Sequence, residues 1–272
     1  DTASIHPAFK GIAADVKIEF RLARIDPWGN CTIGVVRTAS EATSAGYEAA
    51  KEASPTWPPD KYLNIWTVKV LGHGAAGWSY YPGTAPDGSD GIILLHNYVG
   101  VSGTSNNGHG SVLTHEAGHY LNLPHTWGNS NEPGLADNCY DDDGIDDTPN
   151  TIGHTSCNLE AVTCGSLDNV QNFMEYSYCY KMFTKGQADV MRATLNYWVG
   201  DRNNLKTQSN LIATGTNDGY VPQICEPISD FMTQTTMTCT GTTVVYNDLS
   251  HNTDFIGTYS WNMENASPSF SN

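Results

Sequence analysis

The stretch His115-Glu116-Ala117-Gly118-His119, with His125 six residues further on, constrains this chain more than any other. On a helix over residues 111–122, the two histidines four apart stand one above the other on a single face. Both imidazoles then reach one metal ion at about 2.0–2.1 Å, and Glu116 points beside them, towards a metal-bound water. Four residues cannot bring a third ligand to the same ion, so the chain must turn back. Asn122 tolerates the left-handed backbone that ends helices, and Pro124 cannot continue one. His125 is thereby expected as the third zinc ligand. The open fourth position is that of a catalytic rather than a structural zinc site. His-Glu-x-x-His also occurs by chance; the third histidine, the helix stop and the apolar Val112-Leu113 before it separate this case from such matches. Either Gly110 or Ser111 is placed to cap the helix.

A chain of 272 residues has room for one large domain, or one domain and a small module. A net charge of −16 argues against nucleic acid as a partner, which calls for a basic face. No run of eighteen apolar residues occurs, so no membrane span is expected, and a monomer is. Asp1-Thr2-Ala3-Ser4 has neither the basic start nor the apolar stretch of a signal peptide, and reads as the start of a processed or trimmed form. Of seven cysteines, Cys139, Cys157, Cys164 and Cys179 crowd the region after the metal motif without a C-x-x-C pair. That weighs against a cysteine-liganded zinc and points to two disulfides in an exported protein. Cys225 and Cys239 are expected to form a third, local bridge, leaving Cys31 as a buried free thiol.

Residues 16–22 and 62–70 read as strands, 91–95 as a further strand, and 41–53 as a helix that stops by Pro55. The Gly/Ser/Asn stretch 100–110 is a loop. Residues 126–180 are rich in Gly, Asn, Asp, Pro and Cys with little periodicity, so covalent links or a bound ion must replace a core there. A second helix is expected over 185–199, capped by Thr184, with Ala188, Met191, Leu195 and Trp198 as its core face. Residues 1–205 form one domain on this reading, 206–224 a linker, and 225–272 a small all-β module with runs such as 242–246 and 257–261.

Asp141, Asp142, Asp143, Asp146 and Asp147 place five carboxylates within seven residues, followed by Thr148-Pro149. Hard oxygen donors at this density favour calcium over zinc. The loop is not an EF-hand: with Gly144 as the turn glycine, its first position falls on Cys139 and its twelfth on Asn150. A calcium loop of another kind is expected, against the alternative of a merely solvated acidic loop.

Residues 115–128, Asp146-Asp147-Thr148-Pro149, Asn172-Phe173-Met174-Glu175-Tyr176-Ser177, Phe183-Thr184-Lys185-Gly186-Gln187 and Tyr62-Leu63-Asn64-Ile65-Trp66 follow one another in an order that resembles the metzincin metalloproteases. Within them the chain is similar to the pappalysin family and its bacterial cytophagalysin-like members, over roughly residues 5–200. The resemblance implies an α+β fold: a twisted, mostly parallel sheet with an active-site helix, and an irregular, disulfide-linked C-terminal subdomain with a second helix. It implies that Met174 forms a Met-turn beneath the histidines and that Tyr176 steadies the tetrahedral intermediate. It further implies that strand Ile92, Ile93, Leu94, Leu95 forms the upper rim and pairs with substrate. It pairs Cys139 with Cys164 and Cys157 with Cys179, and gives the acidic loop structural calcium. Two departures stand out: Asn122 replaces a glycine, and the loop from Tyr176 to Cys179 lacks the acidic residue on which cleavage before Arg or Lys depends. The tail resembles the opening of a PKD-like β-sandwich module through Asp230-Phe231, Cys239-Thr240-Gly241 and Tyr259-Ser260-Trp261.

The expected function is that of a secreted zinc endopeptidase acting on proteins or peptides, in which Glu116 activates a zinc-bound water and Tyr176 assists. A serine hydrolase is a weaker reading, because no G-x-S-x-G elbow occurs. The alternative from another class is a non-catalytic secreted adhesion or carbohydrate-binding protein with a relict metal site. The intact Glu116 counts against it.

Overall fold

The computed structural model describes residues 2–46, 48–106, 108–233, 235, 237–250, 252, 260–262 and 270–271. Its chain contacts define two compact units, Asp1–Glu19 with Ser40–Asn210 and Phe20–Ala39 with Leu211–Asn272. This division differs from the one expected from the sequence. Residues 20–39 join the C-terminal segment through a Cys31–Cys225 disulfide spanning 194 positions, and the N–H groups of Arg24 and Ile25 both donate to the Thr214 carbonyl. The expected linker carries a helix. Pairings of such long range leave no mark on local composition, so the sequence could not display them.

The larger unit is α+β. In chain order its elements are β1 (Ala13–Ala14), α1 (Ala49–Ala53), β2 (Ile65–Val68), β3 (Gly77–Ser79), β4 (Ile92–Leu95) and α2 (Val112–Tyr120). After these come β5 (Val162–Thr163), β6 (Ser166–Leu167), β7 (Phe183–Thr184), α3 (Lys185–Thr194), α4 (Arg202–Leu205) and α5 (Gln208–Ala213), whose last residues belong to the other unit. The main sheet runs β2-β4-β3, with β4 parallel to β2 and antiparallel to β3. β4 is buried on both faces, as its unbroken apolar run requires. Ile92 and Leu94 pack with Val112, Ala117, Tyr120, Leu123 and Met174, while Ile93 packs with Trp66, Val68 and Leu71 on the opposite side.

Several elements are shorter than expected. Residues 16–22 form no strand: Lys17 takes a left-handed φ of 59°, Phe20 and Leu22 are exposed, and the only strand nearby is β1, paired to β7. The helix expected over 41–53 splits into a 3-10 turn (Glu41–Ser44) and α1, with Gly46 at φ 73° between them. α3 ends at Thr194, and its N-terminus is a full capping box, Thr184 Oγ1 accepting from Gln187 N while Gln187 reaches back to Thr184 N.

A buried ion pair holds the C-terminal end of α2. The Arg202 guanidinium, fully buried, donates to both oxygens of Asp90 at 2.6 and 2.8 Å and stacks on the Tyr120 ring at 3.6 Å. It also donates to the Tyr120 carbonyl. Asp90 precedes β4, so one planar fork ties sheet, α2 and α4 together.

In the second unit β8 (Phe231–Thr233) pairs with β9 (Tyr246–Asp248), and β10 (Trp261–Asn262) with β11 (Phe270–Ser271), both antiparallel. The expected strand at 242–246 is displaced to β9, and residues 257–259 of the other expected run lie outside the described residues. Cys225 is bonded to Cys31, so the expected Cys225–Cys239 bridge does not form and Cys239 is free and exposed. Among the described residues no helix is long and apolar enough to cross a membrane.

Candidate metal centre and active site

His115, Glu116 and His119 lie on α2, all buried. At its N-terminus Ser111 makes no side-chain cap hydrogen bond, so the expected serine cap does not form. Its other end is closed in full. Asn122 N donates to the His119 carbonyl at 2.9 Å and Leu123 N to the Gly118 carbonyl at 2.9 Å, with Asn122 at φ 73°. This is a Schellman motif with asparagine where glycine is commonest. It reverses the chain and delivers His125.

The three imidazoles converge. Their metal-binding nitrogens lie within 4.8 Å of one another, and the Nε2 atoms of His119 and His125 are 3.2 Å apart. Donors about 2.0–2.1 Å from a tetrahedral zinc ion stand roughly 3.3 Å apart, so the nitrogen set fits that metal. Each Nδ1 is held by a main-chain carbonyl: His115 by Phe173 O (2.7 Å), His119 by Leu123 O (2.7 Å), His125 by Ser130 O (3.2 Å). With the proton on Nδ1, every Nε2 lone pair is directed inward. Burial keeps the rings neutral, depressing His115 to about 3, His119 to about 4, and His125 well below its ordinary value.

Glu116 is buried, and its Oε2 has no hydrogen-bond partner. Burial pushes its carboxyl up to about 8. Room for it comes from Gly77 on β3, where a Cβ would lie 3.3 Å from Glu116 Cγ and 2.9 Å from Ile93 O. Ser79 Oγ donates to the Glu116 main-chain carbonyl at 2.8 Å, joining β3 to α2.

Met174 is fully buried beneath α2, its Sδ 2.4 Å from where a Cβ on Gly118 would sit. Tyr176 places its ring 5.4 Å from that of His115 and 4.9 Å from that of His125, and its hydroxyl donates to Asn131 Oδ1 at 2.6 Å. Burial raises its phenol pKa, so the hydroxyl keeps its proton. Disulfides join Cys139 to Cys164 and Cys157 to Cys179, around the segment that carries these residues.

The acidic loop is assembled differently from the histidines. Asp141 accepts from Asn129 N, Asp142 from Gly144 N, Asp143 from Ile145 N and Thr148 Oγ1, and Asp147 from Gly186 N, while Asp146 is exposed. Among the described residues, the histidine triad is the only group of three or more His, Cys, Asp or Glu side chains placed to share a metal.

Strand 92–95 does not form a rim. It is the central strand, with β2 on one side and β3 on the other, so its main-chain groups are already paired. Among the described residues, the sheet edge left unpaired next to α2 is that of β3. Continuous hydrophobicity marks a buried strand, whereas a rim strand needs one open edge.

Four residues around the centre escaped the sequence reading. Trp127, fully buried, stacks on His125 at 4.3 Å and shares the Ser130 carbonyl with it. Tyr81 meets the His119 ring edge-on at 5.6 Å. Glu175 is fully buried, accepting from Thr126 Oγ1 at 2.5 Å and His154 N at 2.8 Å. It thereby fastens the segment after His125 to the Met174 turn, and burial raises it to about 7. His154 in turn contacts Asp168 at 2.9 Å. The positions of Trp127 and Glu175, beside His125 and between Met174 and Tyr176, were the available signals; Tyr81 and His154 offered none.

The fold and this centre together define a zinc metallopeptidase architecture. The family model Peptidase_M43, described as pregnancy-associated plasma protein-A, matches residues 46–196, more than half of the sequence, and the chain belongs to that family. An extracellular metalloprotease of Arthroderma otae is 34% identical over 135 residues, covering 46% of this chain and 48% of the relative. One of Podospora anserina is 31% identical over 173 residues, covering 59% and 55%. The chain thus spans about half the length of the curated relatives it matches. Among solved structures, mature mirolysin of Tannerella forsythia in complex with a cleaved peptide aligns with a TM-score of 0.64 at 29% identity, over 79% of this chain and 83% of that one.

Proposed function

We propose that this chain is a zinc-dependent endopeptidase in which His115, His119 and His125 hold the metal and Glu116 is the general base. One observation carries the reading: a buried carboxylate oxygen without a partner stands beside three imidazoles whose free nitrogens converge. A structural zinc site has no use for that carboxylate. When bound, zinc supplies Lewis acidity, lowering the pKa of a water and polarising the scissile carbonyl. Glu116 takes the proton of the attacking water and hands it to the leaving amine. Tyr176 turns its hydroxyl from Asn131 to donate to the developing oxyanion. We read Met174 as a Met-turn, a floor that fixes the height of α2, and the edge of β3 as the place where an extended peptide adds as a strand.

The acidic loop is proposed to hold structural calcium. Support comes from Asp143 Oδ2, Asp147 Oδ1 and Asn150 Oδ1, all buried without partners, and from burial that pushes Asp143 up to about 7. We read the protein as exported, in line with its extracellular relatives, active as a monomer on proteins or peptides, and not a nucleic-acid binder. Residues 225–272 are read as the opening of a PKD-like module.

Glu116→Gln is the decisive variant. Its zinc content should stay at one ion per chain while casein hydrolysis falls by about 10²–10⁴-fold. A variant with zinc bound and wild-type turnover would sink the proposal, and would favour the reading of a relict metal site.

A further inference from the structure

One face of β3 is fixed by α2; the other is fixed by a charged pair that has no part in the hydrolysis itself. Lys51, on α1, is buried, with only 2% of its side chain exposed. Its ammonium donates to Glu48 Oε1 at 2.9 Å and to the Ser89 carbonyl, on the approach to β4, at 2.7 Å. It also lies over the Trp66 ring of β2 at 5.1 Å and over the Tyr80 ring, just past β3, at 4.9 Å. The same Glu48 oxygen accepts from Nε1 of Trp78, the middle residue of β3, at 2.8 Å. One lysine–glutamate pair thus reaches every strand of the main sheet.

Cohesion alone does not account for a charge at this place. Taking an ammonium and a carboxylate out of water is costly, and apolar residues of similar volume commonly stabilise a fold as well or better. Burial holds Lys51 below its ordinary pKa, against the pull of Glu48. On Glu48 burial acts upward, but hydrogen bonds from Lys51 and Trp78 outweigh it and bring the carboxyl below its usual value. What the pair supplies beyond cohesion is direction, since the indole N–H and the ammonium converge on one carboxylate oxygen and so orient the Trp78 ring. β3 needs such a fixture. It has three residues and, among the described residues, is paired only to β4. Trp78 packs against the cluster of Trp66 and Ile93, on the sheet face opposite α2, while Ser79 Oγ bonds the Glu116 carbonyl on the α2 face. The strand is held between the metal helix and the Lys51–Glu48 pair.

We infer that Lys51 and Glu48 are positioning residues for substrate: through Trp78 they hold the edge of β3 where an extended peptide, added as a strand, presents its scissile carbonyl to the metal centre. The inference rests on the endopeptidase reading above and on β3 as the strand that substrate joins. Main-chain pairing along a sheet edge gives affinity that accumulates with the residues paired. Displacing the reacting atoms by about 1 Å can cost about 10²-fold in rate. Loss of the pair should therefore act on the part of the substrate that runs along β3, and not on the metal.

The test uses the zinc-loaded 272-residue chain and two internally quenched peptides with the same cleaved bond. One extends well beyond that bond on both sides; the other is trimmed to the residues next to it. The wild type should favour the long peptide by about tenfold or more in kcat/KM. Glu48→Gln/Lys51→Met removes both charges without leaving either unpaired. It should erase most of that preference, with about a tenfold loss on the long peptide, at most about a twofold loss on the short one, and unchanged zinc content. Trp78→Phe keeps a ring but lacks Nε1, and should show a smaller loss of the same length dependence; it decides the question if the double variant does not fold. Equal losses on both peptides, or a wild-type preference for the long one in folded variants, would overturn this inference while leaving the endopeptidase reading intact. A wild type that cleaves both peptides alike overturns it together with the role of β3, and one that cleaves neither overturns the endopeptidase reading too.

Discussion

The two halves of the metal centre are made by different physics. His115, Glu116 and His119 stand on α2, where helical geometry alone sets their mutual positions and the Asn122 turn ends the element. His125, Met174 and Tyr176 stand on segments with almost no regular structure. Their positions come from two disulfides, the buried Glu175 carboxylate and carbonyls that catch imidazole N–H groups. The helical half resists perturbation because many equivalent hydrogen bonds share the load. The loop half depends on a few individual links, each of which is costly to lose.

That contrast can be broken or sharpened by substitution. The largest effect is expected for the double variant Cys157→Ser/Cys179→Ser, which should lose about 2–5 kcal/mol in urea unfolding and turn over substrate more slowly, while the helicity of α2 persists by circular dichroism. Equal loss of helix and loop order would mean that the halves are not separable.

Glu175→Gln should show a pH signature. Because the folded-state pKa of about 7 lies above the ordinary 4.5, the unfolded chain gives up this proton first. Native stability therefore drops as pH rises from about 4.5 to about 7 and stays level beyond, by an amount of order a few kcal/mol. The glutamine variant lacks this loss, so its stability relative to wild type should climb across that window. A flat difference in thermal unfolding between pH 5 and 8 contradicts the assignment.

Gly118→Ala tests the joint between the halves. A Cβ there falls 2.4 Å from Met174 Sδ. Overpacking of about 1–3 kcal/mol outweighs the helix-propensity gain of about 1 kcal/mol, so a lower melting temperature is expected. A higher one would show that Met174 moves aside freely. The smallest effect belongs to Asn122→Gly, which relieves a left-handed asparagine and should stabilise by well under about 1 kcal/mol, leaving zinc affinity unchanged.

Legibility in the sequence followed the same divide. The metal helix, its stop at Asn122, the buried strand at 92–95 and the cap at Thr184 all rest on interactions within a few residues, and such patterns are visible in a linear string. Tertiary pairing decided the rest. Residues 16–22 alternate as a strand should, yet Lys17 turns left-handed and no ladder forms. Ile92–Leu95 reads as a strand but not as a central one, since which edge stays open depends on where β3 docks. Cys225 finds Cys31 rather than Cys239, because proximity in the fold outweighs proximity in sequence.

By itself, then, the sequence determined the metal-binding chemistry: three histidines and a carboxylate at spacings that helical geometry and one left-handed turn convert into a common focus. Only the tertiary structure decided what surrounds that focus. Met174 lies beneath Gly118, Glu175 ties Thr126 to the 154 loop, and Tyr178 stays at the surface in a left-handed backbone. Each joins residues tens of positions apart or answers to such neighbours, and contacts of that range are set by packing rather than by any local pattern.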